Sequence, residues 1–502
     1  MKKICITLII SLFALMAQAQ NFEDIVRFSG TPNNGTARVS AMGGAFTALG
    51  GDISAITINP ASVGVFRKSE VSFTPFVNIA KTKASGESPT KSSFQLGDLG
   101  LVISLYSPSF DWKGVNFSFN YTNLNNFNRK TRQIVGTSYT SFTDVLARQS
   151  GTLSSDELDG MLTGLAYDAY LINPYYNEQD STLAGYYSIF GEGEPVAQVK
   201  DISESGYQGE YTLSVGTNFK DKLYLGMSIG IQTLNYKKSS VYTEAPPEQS
   251  LSEVDFYTFE EYYKMDGVGT NLKFGIIYRP IPQVRIGASI HTPTWYSFDY
   301  SWSTRFYSQF ITDYDVRTGR DQGAYDVPSY PYNIDCDMRT PWRANVGLAT
   351  ILGQKAIISA DYEFVKYPNA RYQHGEDDYG YYDYDIENAD IEAYLRPTHN
   401  FRAGAEYRFN SIASLRAGYS FRDSPYHESH KANNRLQTVS AGVGLNFGSF
   451  YCDAAYSYKH AKNETIFYSY IDPNYEENDI YATPVSNKYL SHEIRLTFGI
   501  RF

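Results

Sequence analysis

Glu210-Tyr211-Thr212-Leu213-Ser214-Val215-Gly216-Thr217-Asn218-Phe219-Lys220-Asp221-Lys222-Leu223-Tyr224-Leu225-Gly226-Met227-Ser228-Ile229-Gly230-Ile231 reads as two β-strands joined by a tight turn. Tyr211, Leu213, Val215, Thr217 and Phe219 share one face of the first strand. Leu223, Leu225, Met227, Ile229 and Ile231 share one face of the second. A period of two is the mark of a strand with one apolar face. The short polar link Lys220-Asp221-Lys222 makes the two strands antiparallel neighbours.

The same alternation recurs from about residue 70 to the end. Leu272, Phe274, Ile276 and Tyr278 repeat it, as do Ala356, Ile358, Ala360, Tyr362 and Phe364, and Val439, Ala441, Val443, Leu445 and Phe447. Strands are predicted near 70–79, 94–106, 113–124, 207–220, 222–237, 267–279, 283–304, 341–352, 355–367, 396–409, 414–423, 435–447, 450–461 and 488–502. Pro293 interrupts the seventh and marks a bulge or bend there. The strands are fourteen, an even number, and long connections follow the odd strands while short ones follow the even. Short turns at one end and long loops at the other are the rule of outer-membrane barrels. A β-sandwich has no reason to sort its connections by parity.

Composition agrees. Mean hydropathy is −0.36, which looks soluble, but lipid-facing and lumen-facing residues alternate in a barrel and average out polar. The 44 Tyr and 30 Phe suit a pleated sheet and the aromatic girdles at a membrane interface. A net charge of −11 disfavours nucleic acid as a partner. Much of the acid sits in candidate loops such as Glu376-Asp377-Asp378 and Glu476-Glu477-Asn478-Asp479. Of the three cysteines, Cys5 lies in the leader, and Cys336 and Cys452 form neither a disulfide scaffold nor a zinc pattern; a single bridge between those two is left open.

Met1-Lys2-Lys3, the short apolar run Ile4 to Met16 and Ala17-Gln18-Ala19 form a signal peptide with a small-x-small cleavage site. No later stretch has the roughly 20 apolar residues of a spanning helix. An exported chain that crosses a membrane without one does so as a closed barrel. The expected location is therefore the cell outer membrane, with membrane lipid around the wall. The final strand alternates Ile494, Leu496, Phe498, Ile500 and Phe502, and Phe502 resembles the terminal aromatic read by the barrel assembly machinery.

Residues 125–206 are too long for a structureless connection. Ser154-Ser155-Asp156-Glu157 is a capping box, followed at helical spacing by Leu158, Met161, Leu162, Leu165, Ala166 and Ala169. This predicts an amphipathic helix on the outer rim. Its stripe either packs on neighbouring loops or captures a hydrophobic ligand.

Residues 20–69 are not barrel-like. They run Ala37-Arg38, Ala41-Met42-Gly43-Gly44-Ala45-Phe46-Thr47-Ala48, Asp52, Ser54-Ala55 and Asn59-Pro60-Ala61. Small residues permit close backbone packing, and Asn59-Pro60 fixes a turn. A plug inside the barrel needs both. The chain is thus divided into a signal peptide (1–19), an N-terminal hatch segment (20–69) and an outer-membrane β-barrel (70–502). In order and spacing, this segment resembles the FadL-like outer-membrane transporters of long-chain fatty acids and aromatic hydrocarbons.

The resemblance implies that Asn59, Pro60 and Ala61, with Gly43 and Gly44, form a hatch that plugs the lumen. It implies passive uptake of a hydrophobic small-molecule solute: adsorption near the outer-loop helix, an apolar pocket above the hatch, and exit after hatch rearrangement. No nucleotide, metal or other cofactor is required.

Three rivals are set against it. His427 and His430 have a spacing that could ligate haem or a metal. An enzyme would need a nucleophile such as a Gly-x-Ser-x-Gly elbow, which the sequence lacks. A structural or adhesive barrel would have a polar-filled lumen and no apolar pocket, and is the main alternative.

Overall fold

Alternating strands can meet lipid on one side and water on the other only when the sheet has no open edge. In the computed structural model the strands close into an antiparallel barrel of fourteen. The structure describes residues 22–30, 34–247, 252–311, 314–315, 320–321, 323–353, 355–374, 384–427, 434–472 and 478–502. The predicted signal peptide, His430 and Glu376-Asp377-Asp378 lie outside the described residues.

The strands are β1 (Glu70–Ala84), β2 (Thr90–Tyr106), β3 (Trp112–Asn126, continued by Arg129–Ser138), β4 (Val196–Phe219), β5 (Leu223–Ala245), β6 (Val254–Ile281) and β7 (Val284–His291, continued by Trp295–Phe310). They continue as β8 (Tyr332–Arg339 and Arg343–Leu352), β9 (Ala356–Lys366 and Arg371–His374), β10 (Pro397–Arg408), β11 (Ala413–Arg422), β12 (Leu436–Asn446), β13 (Phe450–Thr465) and β14 (Val485–Arg501). β14 pairs with β1 from Glu70↔Arg501 to Ala84↔Asn487 and closes the wall.

Short turns such as Lys220-Asp221-Lys222 lie at one end and the long loops at the other. Pro293 divides β7 as expected. β8 and β9 are interrupted beside it, so three neighbouring strands bend together. Several strands outrun their predicted ends. β4 begins at Val196 rather than 207 and β8 at Tyr332 rather than 341. Above the lipid both faces are wet, so the apolar alternation that reveals a strand fades before its hydrogen bonds do.

The faces read from sequence look outward: Leu213, Ile229, Phe274, Leu348, Ile358 and Val439 are exposed. Trp112, Tyr278, Tyr407, Phe409, Phe447 and Phe450 ring the short-turn end as an aromatic girdle. Among the described residues no helix is long and apolar enough to cross a membrane.

Inside the barrel lie α1 (Phe22–Ser29), α2 (Ala37–Ala41) and two 3₁₀ turns, Ser54–Thr57 and Pro60–Val65. The β3–β4 connection carries α3 (Phe142–Ser150), α4 (Thr163–Asp168) and a small hairpin (Ile172–Tyr176 with Leu183–Ser188). α5 (Asp385–Tyr394) precedes β10.

Candidate functional site

The lower lumen is filled by residues 34–66, and the wall makes room for them with glycine. Gly216 faces Gly226 and Gly226 faces Gly275 across the β4–β5–β6 ladder. Gly287 faces Gly347, and Gly404 faces Gly418. A Cβ at Gly226 would overlap the Pro60 carbonyl, one at Gly275 the Asn59 amide, and one at Gly404 or Gly418 the Met42 backbone. Glycine in a strand interior commonly marks such a close backbone approach. Gly43, at φ +63°, sits against the Tyr419 backbone of β11.

Asn59 acts as a cap and as a tie. Its Oδ1 accepts from Ala61 N at 3.0 Å, and Pro60 takes the first position of the turn, where a missing N–H costs nothing. Its Nδ2 donates to Thr47 O at 2.7 Å and to Ile276 O of β6 at 3.1 Å. Further ties run to the wall: Thr47 N donates to Asp361 at 2.8 Å and Ala37 N to Thr497 at 2.7 Å, while Asn116 Nδ2 donates to Val63 O at 2.7 Å.

Arg38 Nε lies 2.9 Å from Glu406, a carboxylate that also pairs with Arg408 and Arg416. Arg416 in turn holds Asp453 at 2.6 Å. Glu406 and Arg416 are nearly removed from solvent and Arg38 is half-buried; breaking a buried pair costs far more than breaking one at a surface.

The upper lumen is aromatic. Tyr236, Tyr263, Tyr296, Phe298, Tyr300 and Trp302 surround Ile25, Val26 and Phe28 of α1. Tyr263 OH donates to Asp24 of α1 at 2.6 Å.

Three cavities descend through the barrel. The outermost, about 300 Å³, is walled by Phe142, Val145 and Leu162 of the β3–β4 connection and by Tyr242, Phe259 and Trp302. Lys200 and Lys238 also line it, together with Glu261, whose carboxylate acts on both. The second, about 390 Å³, shares Glu23, Arg27 and Lys238 with the first. The third, about 70 Å³, shares Asn34 with the second and reaches Thr57 and Ile58.

An apolar pocket was expected above the hatch. The aromatic lining belongs to the outer cavity, while the lowest cavity is lined by the Glu210–Lys273 and Glu363–Arg402 pairs. Inward-facing Glu, Lys and Arg at mid-strand positions were the available signal, but using it needs the register.

The wall itself has a gap. β2 and β3 pair only from Asp98↔Thr122 to Tyr106↔Gly114. Above that level β3 departs through a bulge at Asn123/Asn125, and its continuation pairs with β4 alone. Side chains bridge the gap: Asn126 Nδ2 donates to Ser93 Oγ at 2.9 Å and Asn123 Nδ2 to Gln95 Oε1 at 3.3 Å. Asn126 and Phe127 also line the second cavity.

The predicted rim helix is corrected. The capping box forms, with Ser154 N donating to Glu157 at 3.0 Å, but it caps only the 3₁₀ turn Ser155–Glu157. Leu158 is extended, and Met161 and Leu162 precede α4, so of the six residues named for the stripe only Leu165 and Ala166 are helical. Asp159 accepts from the Met161, Leu162 and Thr163 amides and offers the backbone an alternative to the helix. A helix the periodicity did not show, α3, begins at a real capping box, Ser141 and Asp144.

Met161 packs on the lumen cluster, while Leu158, Leu162 and Leu165 join the cluster under the loop. Phe502 is exposed beyond β14, its backbone paired with Ser69. Neither Cys336 nor Cys452 is in a disulfide, so the bridge left open by the sequence is not made. Among the described residues no group of three or more His, Cys, Asp or Glu could hold a metal ion.

Fourteen antiparallel strands closed around the N-terminal segment give the chain the fold of FadL-type barrels. Solved structures share that fold at low identity. A Pseudomonas aeruginosa FadL homologue matches 93% of this chain and 99% of its own at 11% identity and TM-score 0.53. The P. putida toluene transporter TodX matches 94% and 99% at 13% identity and TM-score 0.51. The Ralstonia pickettii toluene transporter TbuX matches 94% and 99% at 14% identity and TM-score 0.51. No protein-family profile and no curated relative matches the sequence.

Proposed function

We propose that the protein is an outer-membrane channel for passive uptake of a hydrophobic solute with a polar or acidic end, such as a long-chain fatty acid. The observation that carries this is the descent of three cavities from an aromatic pocket under the outer loop to the 59–61 turn. In the outer cavity Phe142, Phe259 and Trp302 receive the apolar tail, and Lys200 and Lys238 receive a carboxylate. Below it the solute gives up aromatic contacts for hydrogen bonds, which favours an amphiphile over a pure hydrocarbon.

Residues 34–66 serve as the hatch, and Asn59, Pro60, Ala61, Gly43 and Gly44 fix its shape. The gap between β2 and β3 offers a sideways route to the membrane, because there only side chains must part. Uptake needs no energy source: lipopolysaccharide resists apolar solutes, and a lined path lowers that barrier.

The test is uptake of labelled long-chain fatty acid and of toluene by cells expressing the protein, beside a variant lacking residues 37–61 that still folds in the membrane. Fatty-acid import by the wild type, altered in rate or selectivity by the deletion, is the expected result. Import no different from empty cells for both solutes would sink the reading and leave a structural barrel.

A further inference from the structure

On the outer face of β13, β14 and β1 the register sets three lysines in one row. Lys462 faces Lys488, and Lys488 faces Lys83. All three belong to the outward set of their strands, above the lipid-facing Tyr456, Ile494 and Val77. Side chains directly opposite in an antiparallel ladder have Cβ atoms about 4.5–5.5 Å apart, where like charges oppose pairing. Lys81 adds a fourth cation one row below, beside Leu490, with His460 on the far side of Leu490.

Among the described residues none of these four lysines makes an ion pair. A second like-charged pair on the wall behaves differently. Lys237 faces Lys264 across β5 and β6, but Asp266 lies 2.5 Å from the Lys264 Nζ. One lysine pair is therefore balanced within the protein and the other row is not.

The row stands at the long-loop end. Two rows down, Tyr458 and His492 face each other, and Tyr456 OH bonds His492 Nδ1 at 2.7 Å, as residues of an interfacial belt do. Beside the row, Gln437, Val439, Tyr458, His460 and Lys488 line an outward groove of about 230 Å³.

We propose that this face binds the phosphate-bearing head group of an outer-leaflet lipid, with the anion over Lys83, Lys462 and Lys488 and the adjoining lipid in the groove. An anion turns mutual repulsion into a shared attraction, and the row sits where lipid phosphates lie. The inference rests on the barrel standing in an outer membrane with its long loops outward, but not on what it transports.

The test uses the full chain in nanodiscs, with diphosphoryl lipid A, its dephosphorylated form and inorganic phosphate as probes, read by native mass spectrometry. Diphosphoryl lipid A should bind the wild type and resist millimolar inorganic phosphate. At about fivefold per lysine, K83Q/K462Q/K488Q should lose about hundredfold in affinity, and K237Q/K264Q nothing. Equal binding by the triple variant, or equal binding of the dephosphorylated lipid, overturns the proposal. Displacement by inorganic phosphate overturns the lipid source.

If the triple variant does not fold, K488Q decides alone, because it removes the centre of the row. Without the lipid K488Q should melt higher than wild type, since repulsion is relieved; with the lipid it should melt lower. The same sign in both conditions refutes the idea. Fatty-acid uptake by these variants reports separately on the transport reading.

Discussion

The two ends of the lumen are filled by different means. At the lower end backbone meets backbone: Pro60 lies against Gly226, Met42 against Gly404 and Gly418, and buried ion pairs fasten the contact. At the upper end rings meet rings around α1, and cavities remain between them. Where backbone meets backbone the contact is tight, and beside it Arg38, Asp52, Glu70 and Glu406 line a further cavity of about 300 Å³. Side-chain packing leaves space that a solute can enter without displacing a strand. A tightly seated segment below and a looser aromatic lumen above follow from that difference in contact type.

The comparison breaks most easily at Glu406. E406A leaves the half-buried Arg38 and the buried Arg416 without that carboxylate, a change worth up to about 3–5 kcal/mol. Residues 34–66 should loosen while the barrel survives. Single-channel conductance should rise, and heat-modifiable gel mobility should stay normal; unchanged conductance would mean that Arg38 does not hold the segment. G226A comes next. Its methyl group would overlap the Pro60 carbonyl, an overpacking worth about 1–3 kcal/mol. Conductance should rise again, whereas alanine at Gly136, with nothing near it, should have no effect.

Legibility in the sequence follows the same division. The alternation of Tyr211 to Phe219 and Leu223 to Ile231 exposed the wall because lipid rewards every second residue alike. The Asn59-Pro60-Ala61 turn was legible because its cap is local. The glycines that seat it were visible as letters, but their role depends on which strand lies opposite. The same holds for Lys200 and Lys238, which the fold alone brings to one cavity. The failed helix at Ser154 shows the converse: the stripe was helical, but Asp159, one carboxylate beside Gly160, redirected three amides.

The upper end should fail selectively rather than mechanically. K200Q/K238Q removes two cations of the outer cavity and leaves the aromatic lining. A charge-assisted hydrogen bond is worth about 1.5–3 kcal/mol, so fatty-acid binding should weaken about tenfold or more. Toluene, with no charge, should be taken up as before. Equal loss for both solutes would place the defect in packing, and no loss for either would remove the lysines from the site.

The smallest expected effect lies at the outer edge, in the cap of α3. Burial raises the Asp144 carboxyl above its ordinary value, and the hydrogen bond from Ser141 N, at 2.8 Å, opposes this only in part. The folded loop therefore holds that proton more tightly than the unfolded loop does. As pH rises from the ordinary carboxylate range to the raised value, the unfolded form ionises first and loop stability falls; above the raised value it is level. Hydrogen exchange of the α3 amides should show protection declining across that window in the wild type and flat in D144N, which keeps a capping side chain without the charge. Because this loop roofs the outer cavity through Phe142 and Val145, fatty-acid affinity should fall over the same window, and conductance should not. A matching change in conductance would mean that the two ends are coupled, and the division between them would have to be given up.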